Sequence, residues 1–245
     1  MDNVLGSNLK IMNSKPPYNF EEGALLLVDK PLNWTSFDVV NKIRYALKKS
    51  LGVKKIKVGH AGTLDPLATG LLLICTGKFT KQIDSLQVMT KAYTGTIKLG
   101  ATTPSYDAES EEDSSFPTDS LEVDALIEAA QSFVGDINQV PPVFSAIKVD
   151  GKPLYESARA GINVELKARA VSIYDFDLTR IEIPEVDFFV TCSKGTYIRS
   201  LAHDFGKALD NGGYLISLRR TKIGDYDIKD AWNLEALIKY IMEGE

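Results

Sequence analysis

The chain has 245 residues, 44% of them hydrophobic and 25% charged, with a net charge of −5. That composition fits a globular protein with enough apolar material for one large core or two small ones, and it argues against a disordered or fibrous chain. No apolar run reaches membrane-spanning length and the first residues, MDNVLGSNLKIMNSKPPYNFEEG, lack the charged-then-apolar order of a secretory signal, so the expected location is cytoplasmic, away from membranes.

Residues 1–22 show no steady periodicity and are expected to form a poorly ordered leader, with 23–245 a single domain closed by a short C-terminal helix. Gly23–Lys30 (GALLLVDK) reads as a short buried strand, and DKPLNWTS turns the chain. Ser36 is placed to cap a helix in which Phe37, Val40, Ile43 and Leu47 recur at helical spacing. The stretch VGHAGTLDPLATGLLLICT (Val58–Thr76) follows. Its first half is a Gly-rich loop around an Asp-Pro pair. Its second half, apolar from Leu71 to Cys75, is too short for a stable helix and suits a strand covered on both faces.

Lys91–Gly100 alternates, with Tyr93, Gly95, Ile97 and Leu99 on one face, and reads as a strand. Asp107–Asp124 holds eight acids and no base, leaving the remainder of the chain at +3, and is expected to be a solvated loop. Asp119 with Glu122 resembles a capping box for a helix with Val123, Leu126, Ala130 and Phe133 inward, ended by Gly135. Val143–Val149 reads as a strand, Asp150-Gly151 as a turn and Pro153–Ala160 as a helix stopped by Gly161. Two alternating strands, Val171–Arg180 and Val186–Ser193, precede a helix opened by Gly195, with Ile198, Leu201, Phe205 and Leu209 inward and Asn211-Gly212-Gly213 at its end. A strand over Tyr214–Gly224 and a helix with Leu234, Leu237, Ile238 and Ile241 complete the chain. Hairpin-prone strands with separated helices predict an α+β fold on a mixed, mainly antiparallel sheet.

The sequence has no Gly-rich phosphate loop ending in Gly-Lys-Ser/Thr, no GxGxxG after a strand and no GxSxG elbow. Its two histidines, His60 and His203, and its two cysteines, Cys75 and Cys192, are not at ligand spacing; buried thiols are expected, and neither a metal site nor a disulfide. What remains is Asp65. Asp-Pro commonly opens a turn, but this carboxylate closes a stretch, Val39–Leu64, with seven basic residues and no acid. Pro66 biases its backbone to an extended form and so aims the side chain. A carboxylate that acts as nucleophile or base needs a cation to keep it ionised. Arg199, in CSKGTYIRS, is the best donor by context, because the first turn of a helix is an unfavourable place for an unpartnered arginine. Tyr93 and Tyr197 lie where a ring can stack on a base, worth about 1–3 kcal/mol per base, although packing is the commoner role. These residues describe a metal-free site that handles a base within RNA.

At this point the chain resembles the TruB family of bacterial tRNA pseudouridine synthases. The matching blocks are LLLVDKP, TSFDVV, GHAGTLDPLATGLLLICTGKFTK, KAYTGTIKLGATTPSYDAE, QVPPVFSAIKVDGKPLYESARAG, CSKGTYIRSLAHDFG and LISLRRTKIGDY, in family order from about Leu25 to Tyr226. The resemblance implies a pseudouridine synthase fold and cofactor-free isomerisation of the T-loop uridine, position 55 of tRNA, by a protein expected to act as a monomer on the T stem-loop and also to aid tRNA folding. It implies that Asp65 is the attacking carboxylate, that Tyr93 stacks on the flipped uracil and takes the C5 proton, and that Arg199 pairs with the catalytic carboxylate. It places His60 at the opened T loop, Tyr197 and Leu218 in the uracil pocket wall, and Lys30 in support of the active-site loops. Asn33 stands where the family has glycine; asparagine tolerates the left-handed backbone that the turn would need. Only about twenty residues follow Tyr226, too few for the complete PUA domain of many relatives. A guide-RNA-directed, dyskerin-like enzyme and a non-catalytic RNA-binding chaperone are the alternatives.

Overall fold

A computed structural model describes residues 16–144, 148–149, 152–153 and 166–244. The chain divides into two compact units, Met1–Lys91 with Arg219–Glu245, and Ala92–Leu218. The first unit opens with β1 (Leu25–Lys30), α1 (Ser36–Leu51), β2 (Val58–Ala61), β3 (Ala68–Thr76) and α2 (Ile83–Gln87). The chain leaves it at the start of β4 (Lys91–Leu99). The second unit continues with β5 (Ala101–Thr102), β6 (Ser114–Ser115), α3 (Val123–Ser132), β7 (Gly135–Gln139), β8 (Lys148–Val149), β9 (Lys152–Pro153), β10 (Arg169–Glu182), β11 (Glu185–Cys192) and α4 (Ile198–Ala208). Within β12 (Gly213–Ile223) the chain re-enters the first unit, ending with β13 (Tyr226–Asp227), β14 (Trp232–Asn233) and α5 (Leu234–Glu243).

In the first unit β3 is the central strand. It pairs antiparallel with β1, Leu25 opposite Cys75 and Lys30 opposite Gly70, and with β2, Val58 opposite Thr76 and Ala61 opposite Leu73. Strand alternation sends Leu26, Val28, Leu72 and Ile74 to one face, where Val40, Ile43 and Leu47 of α1 and Leu237 and Ile241 of α5 cover them. Leu25, Leu27, Leu71, Leu73 and Cys75 face the other way, against Leu86, Ile223 and Tyr226. Both faces are therefore dry, which is why Leu71–Cys75 of β3 reads as an unbroken apolar run. Cys75 and Cys192 are buried thiols, and burial pushes Cys75 up to about 12. Tyr18 and Phe20, placed in the leader by sequence, pack here, and Trp232 Nε1 donates to Tyr18 Oη at 3.0 Å. Residues 1–15 lie outside the described residues.

The helix expected at Ser36 is present, but Thr35 caps it. The Thr35 hydroxyl accepts from Asp38 N–H while the Asp38 carboxylate accepts from Thr35 N–H, each at 3.0 Å. The buried stripe is centred on Val39, Ile43, Ala46 and Leu47, which puts Phe37 on its outer flank and 60% exposed.

In the second unit the strands run in the order β12, β4, β11, β10, β7, with β10 antiparallel to both β11 and β7. Phe176 of β10 meets Phe133, Phe188 and Phe205 edge-on, with ring centroids 6.4, 5.8 and 5.7 Å away. Edge-to-face rings of this kind add to area burial. Ile198, Leu201 and Phe205 are the inner face of α4, as their spacing predicts. Helix α3 lacks the expected capping box: Glu122 sits at the cap without a side-chain bond, and Val123 is 49% exposed. The strand expected over Val143–Val149 is described only in part, and the Asp150-Gly151 turn and the helix expected beyond Pro153 lie outside the described residues. The whole is α+β, with a mixed and mainly antiparallel sheet. Among the described residues no helix is long and apolar enough to cross a membrane.

Candidate active site

Asp65 sits in the loop Gly62–Leu67 that joins β2 to β3. Sequence reasoning saw the loop but not β2, whose four residues turn it into the tip of a hairpin. A main-chain carbonyl removed from water needs a donor, and five consecutive carbonyls of this loop each have one. Gly62 O and Thr63 O accept from the Arg220 guanidinium at 3.1 and 3.5 Å. Leu64 O accepts from Ser36 Oγ at 3.1 Å, and the same hydroxyl accepts from Leu64 N–H at 2.8 Å. Asp65 O accepts from Ala68 N–H at 3.1 Å, and Pro66 O from Asn33 N–H at 2.9 Å and from Lys30 Nζ at 3.3 Å. Asn33 adopts φ 64°, the left-handed conformation that its replacement of glycine calls for. The carboxylate of Asp65 therefore stands on a backbone with little freedom to turn.

Lys30 ends β1 fully buried. Its ammonium also donates to Pro31 O at 2.9 Å and Trp34 O at 2.5 Å, closing the turn after β1 beneath the Asp65 loop. Burial lowers its pKa to about 8, against the opposing pull of the nearby Asp65 carboxylate. His60, on β2 opposite Ile74, is held below the ordinary histidine value first by burial and then by the Arg220 charge, which favours the neutral imidazole.

Tyr93, Tyr197, Arg199 and Leu218 belong to the second unit. Tyr93 is a buried residue of β4, and Leu218 is a half-buried residue of β12. Tyr197 is the residue before α4, and Gln139 fixes its backbone at both ends: Oε1 accepts from Tyr197 N–H at 2.7 Å and Nε2 donates to Tyr197 O at 3.0 Å. Arg199, in the first turn of α4, is buried rather than exposed. It donates to Ser105 O at 3.2 Å and Phe144 O at 2.9 Å, and its Nε lies 3.6 Å from the buried Asp107 carboxylate. Asp107 is itself set by a turn: Thr103 Oγ1 donates to its carbonyl at 2.8 Å, and its carboxylate accepts from Glu109 N–H at 3.0 Å.

Sequence reasoning missed Arg220, Ser36 in its anchoring role, Gln139 and Asp107. Arg220 and Asp107 stood inside matched blocks, LISLRRTKIGDY and TTPSYDAE, without a role. Ser36 and Gln139 act on main-chain atoms 28 and 58 positions away, which no local pattern shows. Among the described residues there is no cluster of three or more His, Cys, Asp or Glu side chains placed to hold a metal.

Comparison with known proteins gives the family. Residues 48–198 match the model of the TruB family pseudouridylate synthase N-terminal domain, and residues 199–245 match that of the tRNA pseudouridylate synthase B C-terminal domain. The chain is 60% identical over 216 residues to the tRNA pseudouridine synthase B of Flavobacterium johnsoniae, covering 88% of this chain and 94% of that protein. It is 54% identical over 227 residues to the protein of that name in Phocaeicola vulgatus, covering 93% and 97%. Among solved structures it resembles a chain of a Cbf5-Nop10-Gar1 complex, with a TM-score of 0.67 and 26% identity over 96% of this chain and 64% of that one. With a family model matching more than half of its length and relatives this similar over most of it, the chain belongs to the TruB family of pseudouridylate synthases, and its fold is the pseudouridine synthase fold.

Proposed function

We propose that this chain is a tRNA pseudouridine synthase acting on the T-loop uridine at tRNA position 55, with residues 23–245 as one catalytic domain. The Asp65 carboxylate attacks the target nucleoside, the glycosidic bond from N1 to the ribose breaks, the detached uracil turns and rejoins through C5 with release of the carboxylate, and C5 gives up a proton while the freed N1 takes one up. Substrate and product are isomers, so the atom balance calls for no oxidant, reductant or group donor. In this reading Tyr93 stacks on the flipped base and receives the C5 proton, and Arg199 keeps the attacking carboxylate charged. His60, Tyr197 and Leu218 hold the everted nucleotide, and Lys30 supports the turn beneath it. Extruding a nucleotide costs a few kcal/mol, which stacking and phosphate contacts must offset. The protein acts as a monomer in the cytoplasm.

The observation that carries this reading is the loop of five anchored carbonyls around Asp65, in a chain 60% identical to a relative named tRNA pseudouridine synthase B. The test is pseudouridine mapping on a tRNA transcript incubated with purified protein. Wild type should modify one T-loop position, and Asp65→Asn should bind tRNA yet lose activity by roughly a thousand-fold or more. Substantial turnover by that variant would remove Asp65 from its role. Modification of bare transcript, with neither guide RNA nor partner protein, would dispose of the guide-directed alternative. Any help in refolding tRNA should survive in Asp65→Asn.

A further inference from the structure

We infer that Arg220 is a positioning residue for this reaction: it acts through the main chain of the catalytic loop to set the direction in which Asp65 points. The inference rests on the reading of Asp65 as the attacking group. The Arg220 side chain is among the largest fully buried ones in the described residues, with 1% of its surface exposed. Its Nε donates to Leu71 O at 2.7 Å, Nη2 to Gly62 O at 3.1 Å and Nη1 to Thr63 O at 3.5 Å. Leu71 lies on β3 and Gly62 and Thr63 lie just past β2, so one planar group ties together the two sides of the hairpin tip.

The guanidinium suits this task for a reason of shape. Its donors are fixed in one plane and can reach separate acceptors at once, whereas an ammonium is a compact point on a flexible stem. The base from which the side chain projects is also fixed, because an ideal Cβ on Gly70 would lie 2.3 Å from Arg220 O and 2.7 Å from Arg220 N. At that point β3 and β12 pack backbone to backbone. Burying a cation is unfavourable, and apolar side chains of similar volume often serve a core as well. Core packing therefore gives no reason for an arginine here, and the two loop carbonyls do. Ser36, Asn33 and Lys30 hold the Leu64 and Pro66 end of the loop. Without Arg220, the Gly62–Thr63 end would be free to pivot about Leu64.

The experiment measures single-turnover pseudouridine formation, tRNA dissociation constant and urea midpoint for wild type, Arg220→Met, Arg220→Lys and Ile223→Ala. Ile223 is a buried residue of the same strand whose apolar side chain can donate no hydrogen bond to the loop carbonyls, so its variant is a stability control. Misplacing a reacting group by about an ångström costs roughly 100-fold in rate, which is the loss expected for Arg220→Met, with tRNA affinity within about two-fold of wild type. Arg220→Lys should recover part of the rate, and Ile223→Ala should keep nearly all of it while losing comparable stability. If Arg220→Met is too unstable to purify, Arg220→Lys carries the test alone, with a rate loss at unchanged affinity expected. Rates for the Arg220 variants that merely follow their stability, as the Ile223 control does, overturn the inference. Asp65→Asn separates the two claims: if it is inactive while Arg220→Met behaves as the control, only the role of Arg220 fails; if it is active, the underlying reading fails first.

Discussion

The Gly62–Leu67 loop and the acidic segment Asp107–Asp124 are both polar connections without an apolar core of their own, and they are held differently. In the first, the protein grips the main chain: Arg220, Ser36, Ala68, Asn33 and Lys30 supply donors to five consecutive carbonyls. In the second, the residues are mostly exposed, and bonds to exposed carboxylates work beside main-chain ones, from Asp113 N–H to Thr102 O at 3.0 Å and from Phe116 N–H to Gly100 O at 2.8 Å. Glu112 bonds Lys98 Nζ at 2.8 Å and Tyr214 Oη at 2.7 Å, Asp113 accepts from Thr102 Oγ1 at 2.5 Å, and a two-residue ladder joins β5 to β6. A loop held by its carbonyls keeps its functional side chain aimed whatever that side chain's ionisation. The share of a loop's grip that comes from exposed carboxylates depends on their charge and is weakened by salt. Asp107, buried against Arg199 at the segment's start, is the one buried residue of the segment.

Substitutions that attack the two kinds of grip should differ accordingly. The largest effect is expected for Gly70→Ala, which adds a Cβ 2.3 Å from Arg220 O at a position with φ 103°. It should lose about 4 kcal/mol or fail to accumulate as folded protein, read by urea denaturation. Lys30→Met comes next. It strips a donor from Pro31 O, Trp34 O and Pro66 O and should cost about 2 kcal/mol near neutral pH. Its pH dependence is the sharper test. Burial first, with the Asp65 carboxylate opposing, puts the folded-state pKa of Lys30 at about 8, against 10.5 ordinarily. Below that window the amine is charged in both states. Across it the unfolded chain binds the extra proton, so wild-type stability should rise with pH. The variant lacks that rise, so its deficit should widen by up to about 3 kcal/mol between pH 8 and 10.5. A deficit that stays constant in urea melts across this range would refute the assignment. Least of all, Glu112→Gln should leave both the unfolding midpoint and the rate of pseudouridine formation nearly unchanged in physiological salt, since its ion pair with Lys98 is exposed and an amide oxygen can still accept from Tyr214 Oη.

What the sequence could show depended on whether the partner was local. Strand β3 was legible because both of its faces are dry, so Leu71–Cys75 are all apolar, and α4 was legible because one face alone carries Ile198, Leu201 and Phe205. Strand β7 was not: its residues, GDINQ, are largely exposed and it is held by main-chain pairing to β10. Phe37 fitted a helical stripe but fell on its flank, because a period of 3.6 leaves the stripe's centre undetermined over few residues. In the site, Asp65 and Lys30 stood out by motif. The anchors of the Asp65 loop did not, because a serine or an arginine that serves a distant carbonyl looks like any other. The Arg220 bond to Gly62 spans 158 positions.

The burial of both cysteine thiols has a practical corollary. Cys75 lies at the centre of a strand with its thiol pushed up to about 12, and nucleophilic sulfur is the thiolate, so this group should resist alkylation and oxidation while the fold is intact. Cys192 is equally enclosed in β11. A single cysteine introduced at an exposed helix position such as Lys48 should therefore accept a fluorophore or spin label selectively in the otherwise native chain, giving a reporter of RNA engagement without first removing the endogenous thiols.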